Sequence, residues 1–235
     1  MVHLKPDECR VLGVLVEKAL TTPAQYPLTL NALTTGCNQK NNRHPVVNWD
    51  DDRVMDALDG LRSKGLVREA MLSGSRVAKF RHLAREVLHV DTSQLVVLTE
   101  LLLRGPQSIG DIRQNASRMH PIESLELTKG ILDALMRAEG EGETARQVMV
   151  KEVPPPPGSR ARLYVQLLCP DLHRLDSVAA SGNNDDDSGE RATSGGGASG
   201  GGLAARVESL EREVSDLKSA LSKLAASLGE PNPLG

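Results

Sequence analysis

The 235-residue chain predicts a mainly α-helical fold with small β-hairpin wings, built twice and followed by a coiled-coil helix. Three observations carry this. GSRVAKFRHL at 74–83 and GSRARLYVQL at 158–167 share Gly-Ser-Arg, an aromatic six residues after the glycine and a closing Leu, all at an offset of 84. Upstream of each, helix starts and apolar periodicity recur in the same order, which marks an internal repeat. Past both, Leu203, Val207, Leu210, Val214, Leu217, Leu221, Leu224 and Leu228 alternate spacings of four and three, the seam of a heptad pattern.

In the first copy, Pro6 at a first helical position with Asp7 and Glu8 in the first turn opens a helix. Cys9, Leu12, Leu15, Val16 and Ala19 follow at i, i+3, i+4 spacing, which predicts an amphipathic helix. Thr29 can cap a second helix containing Leu30 and Leu33. A third runs from about Asp50 to Lys64, burying Val54, Leu58 and Leu61, and Gly65 then supplies a left-handed terminus. Short strands on either side of Gly74 and Ser75 read as a hairpin. The second copy repeats the series: Asp91 or Thr92 before LVVLTELLL, Ser108 before IGDI, a third helix with Leu132 and Leu135, then VMVKEV and RLYVQLL around a Pro-rich tip. Three helices and a hairpin, twice, describe a tandem winged helix-turn-helix. The expected organisation is a first winged-helix domain over 1–86 and a second over 87–175. A flexible Gly/Ser/Asp linker covers 176–202, a coiled-coil helix 203–228 and a disordered end 229–235. Its glycine runs are no phosphate loop, because no Lys-Ser/Thr follows them.

With Leu203 at d, Val207 and Val214 fall at a, and Val at a with Leu at d favours two parallel strands. The flanking charges agree, since Arg206 would meet Glu211 and Glu213 would meet Lys218 of a parallel partner. The expected partner is therefore the chain itself, as a parallel homodimer.

Composition narrows the function. Aromatics are only 2%, namely Tyr26, Trp49, Phe80 and Tyr164, too few for the stacking platforms of single-strand binders. Cys9, Cys37 and Cys169 form no C-x-x-C pair, so no disulfide framework or zinc motif is visible. No apolar run approaches a membrane span and no leader pattern opens the chain, so a cytoplasmic protein is expected. Residues 1–85 hold 13 cationic against 9 acidic side chains, a net +4, whereas 86–175 carry a net −2 and 176–235 a net −5. Any contact with nucleic acid is to be sought in the first copy.

The densest hydrogen-bonding stretch is CNQKNNRHPV at 37–46. Cys37 and His44 could be nucleophile and base or two metal ligands, but no third Cys, His or carboxylate stands at a motif spacing. Cys37 reads instead as a small buried hydrophobe, and no cofactor, metal or catalytic residue is assigned. The four prolines at 154–157 read as a stiffened wing tip rather than a ligand for a polyproline-binding module.

Winged helices usually read duplex DNA with the start of the third helix. Here that position carries Asp50, Asp51 and Asp52 in copy one and Glu123 and Glu126 in copy two, which would repel phosphate. The remaining candidates for backbone contact are Lys40, Asn41, Asn42 and Arg43 in the loop and Arg76, Lys79 and Arg81 in the first wing. The same loop could equally cap the second helix and hold the chain to the third.

Three segments, LTTPAQYPLTLNALTTGCNQKNNRHPV, GLRSKGLVRE and LLLRGPQSIGDIRQNASRMHP, together resemble the YceH-like family of bacterial proteins. The resemblance spans roughly residues 4–170 and implies a tandem winged-helix fold. It brings no catalytic or ligand residues, because the family has none accepted. Lys5 departs from the family by standing where a Thr cap before the proline is more usual. The expectation is a non-enzymatic, dimeric factor that meets the duplex DNA backbone weakly and with little sequence preference. The alternative is a protein–protein interaction scaffold with no nucleic acid, since the architecture also resembles segregation and condensation protein B.

Overall fold

The computed structural model describes residues 2–70, 77–140, 142, 145–155, 160–170, 172 and 173. The chain divides into two compact units, Met1–Asn184 and Asp185–Gly235. The heptad residues Leu203 to Leu228, the 176–202 linker and the end at 229–235 lie outside the described residues, as does Arg76.

The fold is mostly helical with two small antiparallel sheets of three strands each. The first half runs α1 (Pro6–Thr21), β1 (Leu28–Thr29), α2 (Leu30–Cys37), α3 (Asp51–Ser63), β2 (Val67–Ala70) and β3 (Lys79–His82), with a 3-10 turn at Pro23–Gln25 after α1. A short α4 (Ala84–Leu88) leads into the second half: α5 (Thr92–Arg104), β4 (Gln107–Ser108), α6 (Ile109–Ala116), α7 (Leu125–Leu135), β5 (Val150–Val153) and β6 (Leu163–Gln166). The sheet orders are β1-β3-β2 and β4-β6-β5, so the same topology is made twice. Register repeats as well. Phe80 faces Leu28 and Glu69 in one sheet, and Tyr164 faces Gln107 and Glu152 in the other. The two aromatics that announce the repeat thus occupy one structural position.

The caps form where the residue types place them. Thr29 accepts from the Ala32 amide at 3.3 Å, Asp50 from Arg53 at 2.9 Å, Asp91 from Gln94 at 2.8 Å and Ser124 from Leu127 at 3.1 Å. Each satisfies an amide that a helix N-terminus leaves without a partner. Lys5 cannot accept such a bond, and the Glu8 carboxylate instead takes the Lys5 amide at 2.8 Å. Gly65 ends α3 at φ 72°, a conformation that penalises any Cβ. The two-residue strands β1 and β4 and the short α4 are not signalled in the sequence, being too short to show a period.

Helix α1 departs from expectation. Its spacing predicts one apolar face, but every residue from Glu8 to Glu17 is buried, and α5 is buried from Leu95 to Leu103. The two helices pack on each other, so each is covered by its own copy on one side and by the other copy on the other. Gly13 sits at the crossing: a Cβ there would lie 2.7 Å from Cδ2 and 2.8 Å from Cγ of Leu103, so any larger residue would force that buried side chain to move. One continuous hydrophobic cluster runs from Leu4 to Cys169 through both halves. Backbone ties close the seam, with the Leu4 amide donating to the Leu168 carbonyl at 2.8 Å and the Val2 amide to Gln147 Oε1 at 2.6 Å.

Candidate nucleic-acid interface

The loop at 37–46 leads from the end of α2 to α3, and its Asn38, Gln39, Asn42 and Arg43 side chains are engaged by the fold. Asn38 binds the Trp49 backbone reciprocally, donating to its carbonyl and accepting from its amide, both at 2.8 Å. That bond fixes the chain just before the Asp50 cap, so Asn38 sets where α3 begins. Arg10, buried in α1, reaches the carbonyls of Cys37 at 3.1 Å and Pro45 at 2.6 Å. Burial beside the cationic Arg43 lowers the Arg10 pKa to about 10.

Arg43 is the keystone. Its side chain is fully buried, and its guanidinium grips Glu17 of α1 at 2.5 and 3.3 Å. It also donates to the carbonyls of Gly36 at 3.2 Å and Asn42 at 2.9 Å and to Gln39 Oε1 at 3.0 Å. A guanidinium so enclosed is not available to a phosphate. Arg43 therefore leaves the set of backbone-contact candidates, because its charge already neutralises a carboxylate brought into the core by α1.

The next residues staple this loop to the second half. Asn42, in the left-handed region at φ 61°, accepts through its side-chain oxygen from Arg104 at the end of α5. The His44 amide donates to the Leu103 carbonyl at 2.8 Å, and the His44 carbonyl accepts from His173 Nε2 at 2.9 Å. The two imidazoles stack with centroids 6.1 Å apart. Arg104 also pairs with the buried Glu100 at 3.2 Å, and Arg118 reaches the same carboxylate at 3.3 Å. The loop is a clasp between the two halves.

Cys37 is buried against this network, and desolvation pushes its thiol up to about 12, which keeps it a neutral, unreactive hydrophobe. His44 is exposed, and it joins the clasp through its backbone hydrogen bonds and the stacking of its ring on His173. Among the described residues, no group of three His, Cys, Asp or Glu lies close enough to hold a metal ion. No described helix is long and apolar enough to cross a membrane.

Of the cationic candidates, Lys40 is exposed on the outside of the clasp and Asn41 beside it is exposed too. Lys79 and Arg81 lie on β3, alternating with Phe80, which faces the core. Alternation along a strand sends them to the solvent face together. Arg68, which the sequence reading does not select, is exposed on β2 directly opposite Arg81. Strand alternation from the buried Val67 and hairpin register from Gly74 are the signals that could have found it. The first turn of α3 is engaged in local contacts, with Asp51 accepting from the Thr34 hydroxyl and Arg53 held on Asp7 at 2.9 and 3.0 Å and over the Trp49 ring. Glu126, at the start of α7, is fully exposed, and its carboxyl is held below its ordinary value by hydrogen bonds from its own amide and from Ser124. Neither helix start offers a cationic reading surface.

Residues 4–155 match a family model described as "Protein of unknown function, DUF480". Similar curated proteins share the name UPF0502 protein. One from Geotalea daltonii is 47% identical over 168 residues, 71% of this chain and 72% of the relative. One from Burkholderia cenocepacia is 38% identical over 227 residues, covering 97% and 90%. One from Geobacter sulfurreducens is 43% identical over 175 residues, covering 73% and 75%.

Proposed function

The chain belongs to the family described as "Protein of unknown function, DUF480", and from its own surface we propose a non-enzymatic, dimeric tandem winged-helix protein that contacts the backbone of duplex nucleic acid. The repeated order of helix, strand, two helices and hairpin, with the last strand central in each sheet, supports the winged-helix assignment. One observation carries the nucleic-acid reading. Lys79 and Arg81 share the solvent face of the first sheet, and among the described residues no carboxylate lies within ion-pair distance of either. Lys79 is half-buried and Arg81 exposed, and Lys40 adds another exposed cation in the same half. Phosphate contacts need only such charges and neutral donors, and they carry no sequence information.

A gel-shift titration at about 50 mM salt tests this, since backbone contacts are strongest there. The wild-type chain should retard duplexes of unrelated sequence alike, and a Lys79→Gln, Arg81→Gln variant should lose most of that retardation. A double variant that binds as the wild type does would remove the first sheet from the interface.

The dimer rests on the heptad seam from Leu203 to Leu228, with Val at a and Leu at d. Light scattering should give a dimer for the full chain and a monomer for a chain ending at Asp176. A shortened chain that stays dimeric would place the interface in the first unit instead.

A scaffold reading has its own support in the second half. Where α3 opens with Asp51, Asp52 and Arg53, α7 opens with Leu125, Glu126 and Leu127, whose leucines are 46% and 50% exposed. That end of the molecule suits a protein contact better than a phosphate.

A further inference from the structure

We propose that Arg68 is a phosphate-binding residue, and that with Arg81 and Lys79 it makes the outward face of the first sheet a clamp for the nucleic-acid backbone. This rests on the duplex reading above and specifies its contact.

The hairpin register pairs Arg68 directly with Arg81, and Lys79 with Ala70 on one side and Thr29 on the other. Side chains directly opposite on neighbouring strands share a face at close range, where like charges repel. Both arginines are exposed, and neither has a carboxylate within ion-pair distance among the described residues. Glu69, the acidic residue of β2, faces the other way beside Phe80 and pairs with Arg62 at 3.6 Å. The register thus sets two arginines side by side with no ion-pair partner among the described residues, at a cost to the sheet's own stability. An anion lying across the strands removes that repulsion and gains two forked donors shaped for phosphate oxygens.

The geometry favours a polymer of phosphates over a single one. Alternate residues of a strand are about 7 Å apart, so Lys79 and Arg81 line up with successive phosphates along a nucleic-acid strand while Arg68 broadens the contact across it. A membrane surface fits less well. Among the described residues of this hairpin the large exposed apolar side chain is Val77, and interfacial binding takes a broad apolar helix face or a lipid chain.

The test measures duplex affinity of the full chain against salt by fluorescence anisotropy, for wild type, Arg68→Gln and Arg68→Lys, with the melting temperature of each free protein. Arg68→Gln should weaken every duplex alike and make the slope of log affinity against log salt shallower by about 0.9, one phosphate's worth. Arg68→Lys should restore the slope. The free Arg68→Gln protein should melt at the same temperature as wild type or higher, because a repulsion is relieved. A wild type that binds, with Arg68→Gln at an unchanged slope, overturns this inference alone. A wild type that binds no duplex at about 50 mM salt overturns the nucleic-acid reading first. A lowered melting temperature in Arg68→Gln would assign Arg68 a structural role instead. Tighter binding to anionic phospholipid vesicles than to duplex at equal salt would move the face to a membrane.

Discussion

Replacing Arg43 by Ala should destabilise the folded protein by about 3–5 kcal/mol, the usual cost of leaving one charge of a buried pair without its partner. The Glu17 carboxylate of α1 would remain largely buried with only the Lys18 ammonium at 3.8 Å to face it, and the Gly36 and Asn42 carbonyls and Gln39 would each lose a donor. For a folded unit of this size the melting temperature should fall by roughly 10 °C. Burial of the pair is itself of little net benefit, because desolvating two ions offsets their attraction. A Glu17→Leu, Arg43→Met double replacement should therefore recover much of the loss. If Arg43→Ala melts within about 2 °C of wild type, the guanidinium is not the keystone described above, and Arg43 becomes available again as a phosphate contact.

Acidification should weaken the fold between about pH 6.5 and pH 4, with His173 as a principal cause. Burial pushes this imidazole down to about 4, while its Nε2 proton is donated to the His44 carbonyl. Above pH 6.5 the ring is neutral in both the folded and the unfolded chain, and stability is at its full value. As pH falls below that, the unfolded chain takes up a proton that the folded one refuses, so stability drops until the folded pKa is passed. At pH 5 the loss from this one group is about 2 kcal/mol. His82 is lowered by burial as well and acts in the same direction. Urea unfolding at pH 7 and pH 5 should show the loss in the wild type, and a clearly smaller pH effect in His173→Gln, which keeps a donor for His44. Equal losses in both would take His173 out of the clasp.

How much of this was readable depends on how far apart the partners lie. Caps act over three residues: Thr29 and Ser108 could be read directly, Asp91 was one of two candidates with Thr92, and Asp50 was read as the approximate start of the helix it caps. The hairpins were legible through the repeated Gly-Ser-Arg and the aromatic that follows it. The clasp was not. CNQKNNRHPV displays hydrogen-bonding capacity, but its partners are Glu17, Leu103, Arg104 and His173, up to 129 residues away, and no local pattern names them. Arg43 looked like a surface cation because charged residues usually are. The double-sided burial of α1 was hidden for a related reason: Arg10 and Glu17 interrupt its apolar pattern, and only their long-range partners explain why polar residues stand there. Arg68 was within reach of strand alternation and register, since it follows a buried Val and faces a residue already selected.

The most direct test of where this protein meets nucleic acid is the salt dependence of duplex affinity, measured for two unrelated sequences between about 50 and 200 mM salt. With Arg43 enclosed, the loop and first wing retain Lys40, Arg68, Lys79 and Arg81, and Arg76 lies outside the described residues, so contact through these segments alone neutralises about five phosphates and sets a ceiling of about 4.5 per chain on the slope. The expected result is measurable binding at the low end, one slope for both sequences within that ceiling per chain, and steep loss at the high end. Absence of binding at about 50 mM salt, or a strong preference for one sequence over the other, would contradict it.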